Sequence, residues 1–251
     1  MRLLVVVPYR DRENHLKSFI PHVRAYFARD KLDRAVPYRV IIVEQEGRGT
    51  FNRGALKNIG FVLGADNSDY TCFHDIDYLP IWADYSYAEV PTPIVWYGAE
   101  TRPIAPGRAD RFIIHNLEDF CGGAVLVPNP LFKDVDGYSN DYWGWGYEDE
   151  DLKRRYLARG IRLGRRKGTF APLEHDNEGH SPDGAFTPIN MINKKRMLEK
   201  WTNPLKSPDG LSTLRYEILS RRSIPDPAPE RESSWEIVTV RLNMQPDSAQ
   251  N

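Results

Sequence analysis

The sequence predicts an α/β fold, and three observations carry that expectation. Residues 3–8, 38–43 and 70–73 are short apolar runs of the kind a strand buried on both faces shows. Residues 12–29 and 52–63, lying between those runs, place apolar side chains at helical spacing. Pro8-Tyr9-Arg10 and Asp75-Ile76-Asp77, with side chains suited to chemistry, fall at the carboxyl ends of two of the runs. Strand, helix, strand, helix, strand is the signature of a parallel sheet covered by helices, and such sheets bind ligands outside the carboxyl ends of their strands.

Taken in order, Leu3 to Pro8 is the first strand, and the helix after it carries Leu16, Phe19, Ile20, Val23 and Phe27. Pro21 within that helix is expected to kink or divide it. Tyr38 to Val43 forms a second strand, Asn52 to Leu63 a second helix with Leu56, Ile59, Gly60 and Leu63 on one stripe, and Tyr70 to Phe73 a third strand. Pro80, Pro91, Pro93, Pro103 and Pro106 mark the next stretch as loop. Gly122 to Val127 reads as a strand and Glu148 to Arg159 as a helix ended by Gly160. Residues 174–186 read as a mobile polar loop, and strands are expected at Leu214 to Leu219 and Trp235 to Leu242. The whole reads as a single domain over 1–243 with a flexible tail at 244–251.

Composition narrows the function. The 251 residues hold 34 Lys and Arg against 35 Asp and Glu, and a net charge of −1 argues against a general nucleic-acid binder. No apolar run approaches the roughly 20 residues of a membrane helix. The two cysteines, Cys72 and Cys121, lie in apolar sequence and read as reduced core residues, hence a cytoplasmic compartment.

Four constellations can carry chemistry. Asp75 and Asp77 alternate in extended backbone and so face one site, where paired hard oxygens suit Mn²⁺ or Mg²⁺. Tyr142-Trp143-Gly144-Trp145-Gly146-Tyr147 precedes the acids Glu148, Asp149, Glu150 and Asp151; the helix dipole favours acids there, but sugar recognition accounts better for the aromatic platform beside them. His175, in Leu173-Glu174-His175-Asp176, is a candidate further metal ligand, with His180 nearby. Arg10, Arg12, Phe51 and Arg53 supply cations for phosphate and a ring for a base. Asp-x-Asp after a strand also opens aspartyl phosphatases, and aromatics beside acids also suit a non-catalytic carbohydrate-binding module.

Together these residues resemble the β-1,4-galactosyltransferase family. The landmarks, in order, are Val7-Pro8-Tyr9-Arg10-Asp11-Arg12, Phe51-Asn52-Arg53-Gly54, Asp75-Ile76-Asp77, Gly122-Gly123, Trp143-Gly144-Trp145-Gly146-Tyr147-Glu148-Asp149-Glu150 and Asp209-Gly210-Leu211-Ser212. The resemblance implies a GT-A glycosyltransferase fold, a Rossmann-like mixed sheet flanked by helices with an acceptor-binding part, divided into a nucleotide-binding part over about 1–80 and a donor-sugar and acceptor part over about 81–243. It implies inverting, Mn²⁺-dependent transfer of galactose from UDP-galactose to a hydroxyl of a saccharide acceptor in a β-1,4 linkage, for building a polysaccharide or oligosaccharide. Carried over by position, Pro8, Arg10, Arg12, Phe51 and Arg53 resemble the uridine-diphosphate contacts, with Asp75 as the first acid of the metal motif. Asp77 and His175 resemble the metal ligands, and Gly123 and Trp145 the donor-sugar and phosphate contacts. Glu148 and Asp149 resemble the catalytic acids with Asp149 as base, and Trp145 and Glu150 are the acceptor candidates. Where the family has a Met or a second His shortly before the metal His, this chain has Pro172 and Leu173, leaving Glu174, His180 or water to complete the shell. Phe120 replaces a family Tyr at a position that influences tolerance of a 2-N-acetyl group, so UDP-N-acetylgalactosamine is the alternative donor. The family's membrane anchor, stem and disulfide cysteines are not found, which suggests a soluble bacterial-type member. The eight Lys and Arg between Leu152 and Leu173 are expected to form largely a solvated helix face.

Overall fold

The computed structural model describes residues 1–29, 37–103, 110–116, 120–173, 187–202, 209–225 and 233–244, with backbone alone at 98–103 and 110–116. The described strands are β1 (Leu3–Tyr9), β2 (Tyr38–Gln45), β3 (Tyr70–His74), β4 (Tyr78–Trp82), β5 (Thr92–Pro93), β6 (Val95–Pro103), β7 (Asp110–Asn116), β8 (Ala124–Pro128), β9 (Gly168–Pro172), β10 (Tyr216–Ser223) and β11 (Ser233–Leu242). The helices are α1 (Glu13–Arg29), α2 (Arg53–Gly64), α3 (Asn129–Asp134), α4 (Glu148–Ala158) and α5 (Pro188–Trp201).

β1 is buried along its whole length because it runs through the middle of a seven-stranded sheet of order β10-β11-β2-β1-β3-β8-β5. It pairs in parallel with β2 on one side and β3 on the other, Leu3 facing both Tyr38 and Tyr70. The carboxyl ends of β1 and β3 therefore emerge side by side. Alternate residues of β1 feed opposite core layers: Val5 and Val7 pack with Phe19, Val23 and Ile42, whereas Leu4 and Val6 pack with Ile59, Phe61 and Phe73.

The sheet is mixed rather than wholly parallel. β8 runs antiparallel to β3, β5 to β8 and β10 to β11. The proline-rich stretch is also more ordered than its composition suggests. β4, β9, β6 and β7 form a second, four-stranded sheet in that order. Its prolines sit where a missing amide is tolerated: Pro80 on the edge strand β4, and Pro103 at the last position of β6. Pro106 lies outside the described residues. α1 continues undivided through Pro21, which lies on its exposed face where water can satisfy the carbonyl that proline leaves unbonded.

α5 has no counterpart in the sequence reading. Its buried face carries Asn190, Asn193 and Met197, so two polar residues stand where helical periodicity would look for apolar ones. Cys72 is a free, buried core thiol, and burial pushes its pKa up. Cys121, also free, is only half-buried and is not a core residue: its Sγ lies 3.8 Å from Nη2 of Arg165. No described helix is long and apolar enough to cross a membrane. The segment 174–186, expected as a loop, and residues 245–251 of the expected tail lie outside the described residues.

Candidate active site

The site grows from the adjacent strand ends and the helix lying across them. α2 can approach β1 closely because Gly60 faces Val6, where a Cβ would collide with the valine methyls. Its amino terminus is fixed by Asn52, whose side-chain oxygen accepts from Ala55 N at 2.9 Å while its amide donates to Asn140 O at 2.7 Å. One turn apart on this anchored helix, Arg53 and Lys57 point at the strand ends.

A first cavity opens at those ends, lined by Pro8, Tyr9, Arg10, Arg12, Phe51, Arg53, Asp75, Ile76, Asp77, Gly144 and Trp145. All the predicted uridine-diphosphate contacts therefore meet on one surface. The Arg10 guanidinium lies over the Phe51 ring, 5.1 Å from its centroid, and its Nη1 donates to Gly49 O. Arg12 Nη1 donates to Asp77 Oδ2 at 3.2 Å, and Arg53 Nη1 to Asp75 Oδ2 at 3.0 Å. Asp75 and Asp77 are each 7% exposed, two hard carboxylates in one wall. That donor chemistry fits a divalent cation. Among the described residues no group of three or more His, Cys, Asp and Glu converges to hold a metal. The Leu173 amide donates to Asp77 O at 2.6 Å, and His175, the predicted further ligand, lies outside the described residues.

A second cavity adjoins the first and shares Arg53 and Trp145 with it. Its lining includes Phe120, Cys121, Gly122, Glu148, Asp149, Glu150 and Asn190. Gly123, a predicted donor-sugar contact, is in the lining of neither cavity; its carbonyl accepts from Asp75 N at 2.6 Å, and its φ of +73° suits glycine. The turn before α4 explains the two glycines of Trp-Gly-Trp-Gly. Gly144, Gly146 and Tyr147 all have positive φ, and Gly146 packs so close to α5 that a Cβ would stand 2.7 Å from Asn190 Nδ2. Asn193 Nδ2 donates to Trp143 O at 3.0 Å and to Trp145 O at 3.2 Å. The platform is one tryptophan, not two: Trp145 lines both cavities, whereas Trp143 is buried.

The four acids divide as well. Glu148 is buried and ion-pairs with Arg53 Nη2. Burial raises its pKa, and Arg53 opposes that rise. Asp149 Oδ1 accepts from Lys57 Nζ at 3.2 Å. Glu150, 38% exposed, pairs with Lys153 and Arg154 at 3.7 and 3.3 Å. Asp151 turns away from the cavities, accepting from Tyr142 at 3.0 Å and from Arg155 Nε at 2.7 Å. The basic run is a solvated face only in part, with Arg159, Arg162 and Lys167 exposed. Arg155 is buried, Arg166 donates to the carbonyls of Asp84, Ser86 and Tyr87, and Arg165 donates to Phe120 O.

Lys57 was missed by the sequence reading, since one lysine inside a largely apolar helix carries no motif. It is 2% exposed, with its ammonium 3.4 Å from Asp75 Oδ1, 3.2 Å from Asp149 Oδ1 and 4.9 Å over the Tyr138 ring. Burial pulls its pKa down, but Asp149 and Asp75 outweigh burial and the net shift is upward, so it remains charged.

Residues 1–88 match the family model described as the N-terminal region of glycosyl transferase group 7, and residues 112–177 match that of the N-terminal domain of galactosyltransferase. Human β-1,4-galactosyltransferase 7 is 28% identical over 225 residues, covering 89% of this chain and 63% of the relative. The Drosophila melanogaster protein is 30% identical over 225 residues, covering 87% and 63%. The chain thus spans 63% of the length of these relatives, just under two thirds. The catalytic domain of Drosophila β-1,4-galactosyltransferase 7, solved with xylobiose, superposes with a TM-score of 0.72 at 25% identity, covering 97% of this chain and 95% of that one. A point mutant of the same enzyme, solved with manganese, UDP-Gal and xylobiose, gives 0.71 at 25% identity, again covering 97% and 95%. With two matched family models, relatives along most of the chain and a shared GT-A architecture, the chain belongs to glycosyl transferase group 7, the β-1,4-galactosyltransferase family.

Proposed function

We propose that this chain is an inverting glycosyltransferase that moves galactose from UDP-galactose to a hydroxyl of a saccharide acceptor, forming a β-1,4 linkage with Mn²⁺ as cofactor. The observation that carries the reading is the pair of adjoining cavities joined at Arg53 and Trp145. One presents cations, a phenyl ring and two carboxylates, and the other presents Asp149 beside an indole. The first suits a nucleoside diphosphate, with Phe51 and Arg10 at the base and Arg12 and Arg53 near the phosphates. The second suits a sugar, whose CH face lies on Trp145 and whose hydroxyls meet Glu150 and its neighbours.

Asp77 with His175 would hold the divalent cation beside Asp75, where it supplies positive charge to the departing diphosphate. Asp149 takes the proton of the acceptor hydroxyl as that oxygen attacks the anomeric carbon from the face opposite the diphosphate. A single displacement inverts the configuration and needs no enzyme nucleophile. Glu148 holds Arg53 against the donor while lining the acceptor side. Residues 1–80 carry most of the nucleotide contacts and the remainder to 243 the sugar contacts, within one catalytic domain. Phe120 stacks on Tyr78 with ring centroids 6.0 Å apart and closes the space beside Gly122 and Gly123, which favours galactose over its bulkier 2-N-acetyl analogue. The two free cysteines support a reducing, cytoplasmic compartment; export of the chain from cells on fractionation would remove that reading.

A glycan-array transfer assay with UDP-galactose and Mn²⁺ tests the function, run beside UDP-N-acetylgalactosamine. Metal-dependent galactose incorporation is the expected result. Faster turnover of UDP-N-acetylgalactosamine reverses the donor assignment, and phosphate release from sugar phosphates without UDP-sugar turnover replaces transfer by phosphatase chemistry.

A further inference from the structure

Resting on the transferase reading above, we propose that Lys57 is a positioning residue that holds Asp149 Oδ1 and so makes Oδ2, beside Gly122, the oxygen that receives the acceptor proton. Two independent observations carry this. Lys57 Nζ donates to Asp149 Oδ1 at 3.2 Å from a helix whose start is pinned by Asn52, and the same ammonium reaches Asp75 Oδ1 at 3.4 Å. On the other side of the carboxylate, a Cβ on Gly122 would come within 2.6 Å of Asp149 Oδ2 and within 2.8 Å of the Phe120 ring. Glycine leaves that flank open to the second cavity, which both residues line.

One buried cation therefore ties an acid of the donor cavity to the base of the acceptor cavity. It sets the spacing between the leaving diphosphate and the attacking hydroxyl, and it removes one of the two carboxylate orientations. In the step itself the acceptor O–H bond breaks and its proton passes to Asp149 Oδ2. The freed electron pair forms the bond to the anomeric carbon, and the bond from that carbon to the diphosphate oxygen breaks with its pair leaving on UDP. Lys57 neither gains nor loses a proton.

The test measures UDP-galactose turnover with Mn²⁺, as transfer to xylobiose and as UDP release into water, in Lys57→Met, Gly122→Ala, Asp149→Asn and the double variant Lys57→Met/Asp149→Asn. Gly122 lies outside the positive-φ region, so alanine is compatible with its backbone and acts through its methyl group. Lys57→Met and Gly122→Ala are each expected to lower kcat by about a hundredfold, the scale of a misplaced general base, with the KM for UDP-galactose within about threefold of wild type. Adding Lys57→Met to Asp149→Asn is expected to lower kcat no further, because the group that Lys57 positions is already gone. A purely structural lysine would give multiplicative losses and matching losses of folded protein. Unchanged kcat in Lys57→Met or Gly122→Ala, or independent losses in the double variant, overturns the assignment. If Lys57→Met does not fold, Gly122→Ala decides it in a cycle with Asp149→Asn, where a loss that acts through Asp149 lowers kcat no further and one that acts through Phe120 lowers it again. A wild-type chain that neither transfers nor hydrolyses UDP-galactose overturns the transferase reading instead, and is told apart by that control.

Discussion

Two clusters of charge flank one turn of α4, built from the same residue types and arranged for different ends. On the cavity side, Arg53 and Lys57 face Asp75, Glu148 and Asp149. On the far side, Arg155 and Lys200 face Asp151 and Asp209. The far cluster is closed by backbone: Arg155 Nη1 donates to Asp209 O at 2.7 Å, and Asp209 accepts from Asn140 N at 2.9 Å and from Ser139 Oγ. The cavity cluster instead borders space that a ligand can fill. Adjacent acids in one sequence run thus border a cavity or brace a scaffold according to what lies opposite them.

That contrast can be broken most severely at Arg155. Arg155→Met strands the buried Asp151 and is expected to cost about 3–5 kcal/mol of stability in denaturant unfolding. Turnover per folded molecule should stay near wild type. Trp145→Ala should do the reverse, since the indole borders both cavities. Donor and acceptor KM should each rise about tenfold, equivalent to about 1.4 kcal/mol and within the scale of an aromatic contact, with little change in unfolding.

Acid titration separates the clusters more gently. Burial pushes the Asp209 carboxyl up, but Lys200, Ser139 and Asn140 together hold it below its ordinary value of 3.8. A depressed carboxylate contributes stability above the unfolded-state pKa and loses it as pH falls through the folded-state value. Wild-type stability should therefore decline as pH drops from about 4 downward, and Asp209→Asn should flatten that limb. The smallest effect is expected at Glu150, whose pairs with Lys153 and Arg154 lie at the surface. Glu150→Gln should change stability by less than about 0.5 kcal/mol, while a rise in acceptor KM would show that the carboxylate meets the sugar.

The sequence made the half that builds the first cavity legible because its signals are local. Fully buried β1 and β3 read as apolar runs, and Arg10, Arg12, Phe51, Asp75 and Asp77 stand directly after strands or at a helix start, so their convergence follows from parallel topology. What escaped was non-local. The second sheet pairs β4 with β9 across some ninety residues of chain, and its prolines imitate loop. α5 hides its helical period behind Asn190, which packs against Gly146, and Asn193, which holds the Trp-Gly-Trp-Gly turn. Asp151 could not be told from Asp149 by sequence, since only the positions of Tyr142, Arg155 and Lys57 assign one acid to each side. Lys57 escaped for the same reason: its partners lie 18 and 92 positions away.

The division of the acid run is tested most directly by Asp149→Asn and Asp151→Asn, each assayed for UDP-galactose transfer and for thermal unfolding on the same sample. Asp149→Asn should unfold close to wild type and lose transfer by roughly 10²–10⁴-fold. Asp151→Asn should unfold earlier yet transfer at near wild-type rate while folded. Loss of transfer in Asp151→Asn with normal unfolding, or persistent transfer in Asp149→Asn, would contradict the account.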